Sequence, residues 1–265
     1  PETARECAIR PRLVPWPLRS SPARPDKDFN PPDPLQRLNP NAYARLTQGA
    51  QVLAVEHLGG TRPRVKLLEL SDGSYLKLFH CRRLLTSQRL FPTSRRFQRS
   101  ADRLASLGIP TVAVQEVYRL PGPGRTAVRY RPLAGRCLEE WEPPEVFDGS
   151  LAGDLGRFVA RLHDLGVYFR ALHFGNILRL PGGGFGLVDI GDMRFYHPPL
   201  GWRHRRRNFR HLLRRSRNRE LLAPWRDAFW WAYCQAAGLP ARQEQRLSAF
   251  LDRHLPPSLA APLIP

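Results

Sequence analysis

Between residues 51 and 80 apolar and polar positions alternate with a period of two. Gln51–Val55 and Val65–Leu70 predict two strands, Ser71-Asp72-Gly73 a hairpin turn, and Ser74–Phe79 the return strand. From Thr86 to Leu107 the period lengthens. Leu90, Phe97, Ala101, Leu104 and Leu107 fall at roughly helical spacing, and Gly108 and Pro110 end the run. Two more strands, Thr111–Tyr118 and Thr126–Tyr130, flank the turn Pro121-Gly122-Pro123-Gly124. Beyond residue 132 helices take over. Leu151, Leu155, Phe158, Val159 and Leu162 line one face of a helix over Leu151–Leu165 that Gly166 closes. Short strands at Ile177–Leu180 and Phe185–Val188 form a hairpin across a Pro-Gly-Gly-Gly turn, and further helices are expected at 203–222, 224–237 and 241–254. The pattern predicts an α+β fold in two lobes, a small β-rich one over 41–131 and a larger, mostly helical one over 132–265. Residues 1–40 are crowded with proline and lack periodicity, which predicts an extended or disordered arm. They contain no apolar segment of the signal-peptide kind, and no uncharged apolar run of about 18 residues predicts a membrane span.

The second hairpin carries the first candidate chemistry. Asn176 stands just before its first strand and Asp189 just after its second, so the chain returns both to the same end. Taken singly, either residue is a common turn or helix cap. Together they offer an amide oxygen and a carboxylate, the hard ligands Mg²⁺ takes when it bridges nucleotide phosphates. Gly191 is expected to let the backbone turn sharply beside them. Lys77 lies within Tyr75-Leu-Lys-Leu-Phe79. It is a compact charge on a long stem, suited to phosphate, or else a strand lysine reaching for solvent.

Charge sharpens the interest in that lysine. The formal net charge is +19, and of 42 basic residues only Lys27, Lys66 and Lys77 are lysine. A codon bias toward arginine accounts for much of this, yet such a charge still attracts polyanions. Residues 203–219 concentrate it in nine arginines and no acid, with Phe209, Leu212 and Leu213 on one helical face. Arg205, Arg206, Arg207 and Arg210 are the expected contacts for an anionic partner, a membrane surface or nucleic acid. The aromatic run Pro224–Tyr233 suits either a membrane interface or, better, the core of the larger lobe. Four well-separated cysteines suggest neither zinc nor a disulfide framework, only reduced cytoplasmic thiols.

The strand Lys77, the helix ending Leu-Gly-Ile-Pro110, Leu-His-Asp-Leu-Gly166, His-Phe-Gly-Asn-Ile-Leu178 and Val-Asp-Ile-Gly191 together resemble protein-kinase-like phosphotransferases. More narrowly, with Asp72-Gly-Ser-Tyr-Leu-Lys-Leu-Phe79 and the arginine helix, the chain resembles bacterial lipopolysaccharide core kinases acting on heptose or Kdo sugars. The likeness spans roughly residues 48–255. It implies a bilobal kinase-like fold and ATP with Mg²⁺, Lys77 on the phosphates, and Asn176 and Asp189 on the metal. It also implies a lipopolysaccharide inner-core acceptor and a cytoplasmic protein peripheral to the inner membrane. Gly59-Gly60 is at best a degenerate phosphate loop. Two features depart from the pattern. Ala171 stands where such kinases carry the catalytic Asp, leaving His173 and Asp192 as candidate substitutes. No clear Glu in the 86–107 helix pairs with Lys77, Gln98 and Asp102 being the nearest. The alternatives are a pseudokinase serving cell-envelope assembly and, third, an arginine-rich nucleic-acid binder.

Overall fold

The computed structural model describes residues 35–56, 64–80, 92–141 and 147–255. Its N-terminal part is a mixed sheet of six strands: β1 (Gln36–Arg37), β2 (Gln51–Glu56), β3 (Arg64–Glu69), β4 (Tyr75–His80), β5 (Ala113–Arg119) and β6 (Arg125–Arg131). The spatial order is β1-β5-β6-β4-β3-β2, parallel only between β1 and β5. Helices α1 (Pro40–Leu46) and α2 (Thr93–Ser106) accompany it. The rest is α3 (Gly149–Asp164), α4 (Trp202–Leu212), α5 (Ser216–Leu222), α6 (Arg226–Ala237) and α7 (Ala241–His254), with short strands between. The hairpin β9 (Ile177–Arg179) and β10 (Phe185–Leu187) joins β7 (Arg136–Cys137) in one sheet, and β8 (Val167–Phe169) pairs with β11 (Met193–Phe195). The protein is therefore α+β, sheet-rich first and helical afterwards.

Strand alternation decides what each sheet face meets. On β4, Leu76 and Leu78 point into a small cluster with Leu68, Tyr118 and Leu120, closed by Leu38, Tyr43 and Leu46 from the α1 side. Tyr75 and Phe79 point the other way, toward the main core with Phe97, Ala101 and Leu104 of α2. Lys77 shares that second face by its register. The main core continues through Leu155, Val159 and Leu162 of α3 to Phe229 and Tyr233 of α6. Gly156 permits that approach, since a Cβ there would come 3.1 Å from the Tyr233 backbone nitrogen.

Ordered structure begins before residue 41. β1 pairs with β5, and Asn39 caps α1 by accepting from the Ala42 amide at 2.8 Å, with Pro40 in the first turn. A two-residue strand and a seven-residue helix are too short to print a period among prolines. The expected helix over 203–222 is two helices. Where it breaks, the Asn218 side chain donates to the Leu212 carbonyl at 2.5 Å and Arg219 to the Leu213 carbonyl at 2.8 Å. These bonds replace the helical partners those carbonyls lack. The starts of the expected 86–107 helix and the Gly59-Gly60 loop lie outside the described residues.

Candidate functional site

The β9–β10 hairpin brings Asn176 and Asp189 to one end. Ile177 faces Leu187, and the Val188 amide donates to the Asn176 carbonyl at 3.1 Å. Asp189 then adopts φ 52°, making it the single non-glycine residue with positive φ among those described. That left-handed geometry costs on the order of 1 kcal/mol for a residue with a Cβ. The sharp turn expected at Gly191 belongs instead to Asp189; a Cβ at Gly191 would meet Thr93 and Phe97 at an ordinary 3.8 Å. Turned out this way, the Asp189 carboxylate accepts from Lys77 Nζ at 2.5 Å, linking the six-stranded sheet to the hairpin. The ammonium also lies 5.6 Å from the centroid of the Phe97 ring. Among the described residues no helix carboxylate pairs with Lys77; Asp102 is exposed farther along α2, and Phe97 occupies the helix face beside the ammonium.

The loop before β9 is fixed by side chains. Both hydrogens of the Asn176 amide are engaged, one toward the Ala171 carbonyl at 2.9 Å and one toward His173 Nε2 at 3.2 Å. Its carbonyl oxygen is what remains to offer a ligand. His173 Nε2 also faces the Arg215 guanidinium at 3.3 Å. Two donors converge on that nitrogen, so it accepts, and the ring proton belongs on Nδ1. Nδ1 itself is buried without a partner. Burial, then the Arg215 charge, holds the His173 pKa below the ordinary imidazole value. Arg215 is anchored in turn by Glu139, at 2.6 and 2.7 Å to its two oxygens. A side chain at Gly175 would collide with that Glu139 carboxylate. As a substitute base His173 is poorly placed, because its lone pair already serves to orient Asn176. Asp192 is about half exposed, with only a 3.7 Å contact to Arg170. Ala171 offers nothing but its carbonyl.

Arg205 departs from the expected cationic surface. It is 2% exposed, donates to the Leu200 carbonyl at 2.7 Å and to Tyr233 Oη at 3.0 Å, and pairs with Asp164 at 2.8 Å. Its reason is positional: it falls on the α4 face that also buries Asn208, Phe209 and Leu212. Arg206 is half-buried with its guanidinium 5.2 Å from the Trp202 ring centroid, whereas Arg207 and Arg210 are exposed. Behind Arg205, His163 Nδ1 accepts from Tyr233 Oη at 2.9 Å and its Nε2 faces Asn208 Oδ1 at 3.3 Å. Asn208 holds the Phe169 carbonyl at 2.6 Å, immediately before the loop of Arg170 and Ala171. Burial above all pushes the His163 pKa down to about 3. The aromatic run forms α6 core through Phe229 and Tyr233, with Trp231 alone of its tryptophans standing 65% exposed. Sequence reading missed Glu139, Arg215 and Asn208, which carry no motif and are recognised only by what they touch.

No family model matches this chain, and no curated protein matches it either. Among the described residues no helix is long and apolar enough to cross a membrane, and no group of three or more His, Cys, Asp or Glu residues is placed to share a metal ion.

Proposed function

We propose that this protein is a kinase-like phosphotransferase that binds Mg-ATP and passes phosphate slowly to a sugar hydroxyl of the lipopolysaccharide inner core. Such a protein works in the cytoplasm, peripheral to the inner membrane that carries its acceptor. The observation that carries the reading is the contact of Lys77 with Asp189 across two separate hairpins, Nζ 2.5 Å from the carboxylate, with Asn176 at the same hairpin end, its carbonyl 3.1 Å from the Val188 amide. If Mg²⁺ were bound with nucleotide, the Asp189 carboxylate and the Asn176 amide oxygen would be the groups to hold it, and the Lys77 ammonium would pair with phosphate. When bound, the ion supplies charge neutralisation for the transferred group. Lys77 orients the phosphates. The β9–β10 hairpin holds the two oxygen donors, and His173 and Arg215 keep the Asn176 amide turned so that its oxygen is presented. Proton removal from the acceptor falls to Asp192, the candidate whose carboxylate is least committed. Phosphoryl transfer has a loose transition state, so positioning supplies most of the rate and a weak base suffices for slow turnover.

A second reading, a pseudokinase in envelope assembly, is favoured by two observations: Ala171 cannot accept a proton, and His173 Nε2 is saturated by donors. Melting curves and labelled ATP decide between them. Mg-ADP at about 100 times its Kd stabilises a binding protein by about 2.7 kcal/mol. Incubation with radiolabelled ATP and purified inner-core lipopolysaccharide is expected to label the saccharide, and Asp192→Ala to cut labelling about 100-fold while the Mg-ADP shift holds. No shift rejects nucleotide binding. A shift without labelling, even in Ala171→Asp, leaves the pseudokinase.

A further inference from the structure

The arginines of α4 divide by helical position. Arg203, Arg207, Arg210 and Arg214 follow at spacings of four, three and four, so they form one exposed stripe that continues past the helix end. Arg170, one residue from Ala171, lies in the loop after β8; burial first, and then the charges of Arg170, Arg207, Arg214 and Arg210, hold the His211 pKa below the ordinary imidazole value. Tyr168 Oη lies 3.3 Å from His211 Nε2, and Arg194 stands opposite Tyr168 in the β8–β11 register, leaving the same face of that ribbon. Tyr196 and His204 border the cluster with their rings 4.4 Å apart.

What sets this group apart is its arrangement on one stripe. Some arginines elsewhere are paired, Arg129 with Asp72 and Glu116, Arg226 with Asp227 and Asp252, Arg215 with Glu139, while others, such as Arg119, Arg242 and Arg253, are exposed on other elements. Among the described residues Arg194, Arg207, Arg210 and Arg214 form no ion pair, and Arg170 lies 3.7 Å from Asp192. Mutual repulsion of these cations is unfavourable until an anion is bound between them. The apolar side of α4 cannot serve a membrane, since Phe209, Leu212 and Leu213 are buried in the core.

From this we infer that Arg170, Arg194, Arg207, Arg210 and Arg214 form a subsite for phosphate groups already present on the saccharide acceptor. The inference rests on the proposed inner-core substrate and adds how it is recognised. Guanidinium forks match phosphate oxygens two at a time. Arg207 to Arg214 covers about 10 Å along the helix direction, a span for phosphates on one or two sugar rings. Tyr196 and His204 supply flat faces beside them. Because Arg170 belongs to the loop of Ala171, a saccharide anchored here places a neighbouring hydroxyl toward the transfer site.

The test measures binding of the full chain, in 0.15 M salt, to inner-core oligosaccharide and to the same oligosaccharide stripped of phosphate with hydrofluoric acid. Stripping is expected to weaken binding at least 10-fold. The triple change Arg207→Gln, Arg210→Gln, Arg214→Gln should abolish that preference, while Arg119→Gln, Arg242→Gln, Arg253→Gln, which removes equal charge from exposed positions elsewhere, should keep it. If the first triple variant fails to fold, Arg210→Gln alone should reduce the preference about 3-fold. Equal binding with and without phosphate, equal losses in both triple variants, displacement by an equal concentration of inorganic phosphate, or tighter binding of duplex DNA would each overturn the inference. The Mg-ADP melting shift, read on the same samples, reports the nucleotide site separately. If it persists while the phosphate preference is absent, the subsite is wrong and the nucleotide reading stands.

Discussion

Two polar clusters flank the loop from Arg170 to Asn176, and they are built on opposite principles. Behind it, Asp164, Arg205, Tyr233, His163 and Asn208 are joined in a continuous chain of donors and acceptors, buried except at its Asp164 end. A fully satisfied buried network fixes geometry and leaves nothing to offer a ligand. In front of it, Lys77, Asp189, Asn176 and His173 are partly committed: an ion pair open to solvent, an amide with its oxygen left over, and a strained backbone at Asp189. The first cluster is bonded within itself, and the second leaves polar groups open to a ligand.

The largest effect expected from this contrast separates two neighbours on α4. Arg205→Met strands Tyr233 Oη, the Leu200 carbonyl and Asp164, and should lower stability by about 3 kcal/mol in denaturant melts. Arg207→Met, two residues on, should change it by less than about 0.5 kcal/mol. Equal costs would dissolve the distinction between the two faces.

The next effect is in pH. His163 is held neutral, its folded pKa depressed to about 3 from an ordinary 6.5. The unfolded chain therefore binds the extra proton between those values. This group's contribution is complete above about pH 6.5 and declines as pH falls toward 3, by up to about 1.4 kcal/mol per pH unit. His163→Gln should flatten that part of the stability profile.

The smallest structural effect belongs to the front cluster. Asp189→Gly removes an exposed ion pair worth about 0–1 kcal/mol but relieves the left-handed backbone, so melting should move by less than about 1 kcal/mol. The same change should erase the Mg-ADP shift. A large loss of stability would show that Asp189 belongs with the structural cluster instead.

Much of the frame was written in local pattern. The period of two across Ser74–Phe79 and the glycine turn at 182–184 placed Lys77 on one sheet face, and Asn176 and Asp189 at one hairpin end. Helix α3 followed its apolar spacing, since burial of one stripe is a local property of the chain. Other features depended on residues far apart in sequence. Lys77 and Asp189 are 112 positions apart, and Arg215 lies 76 from Glu139, so their bonds exist only once the β-rich and helical parts pack. In a protein with 42 basic residues, helical spacing identified an apolar face on α4 but gave no sign that an arginine shared it. Arg205 is buried because Asp164, Tyr233 and the Leu200 carbonyl surround it, whereas Arg207 meets no such partners. Burying a charge is tolerable only where its donors are answered, and those answers come from three separate segments that the fold alone brings together.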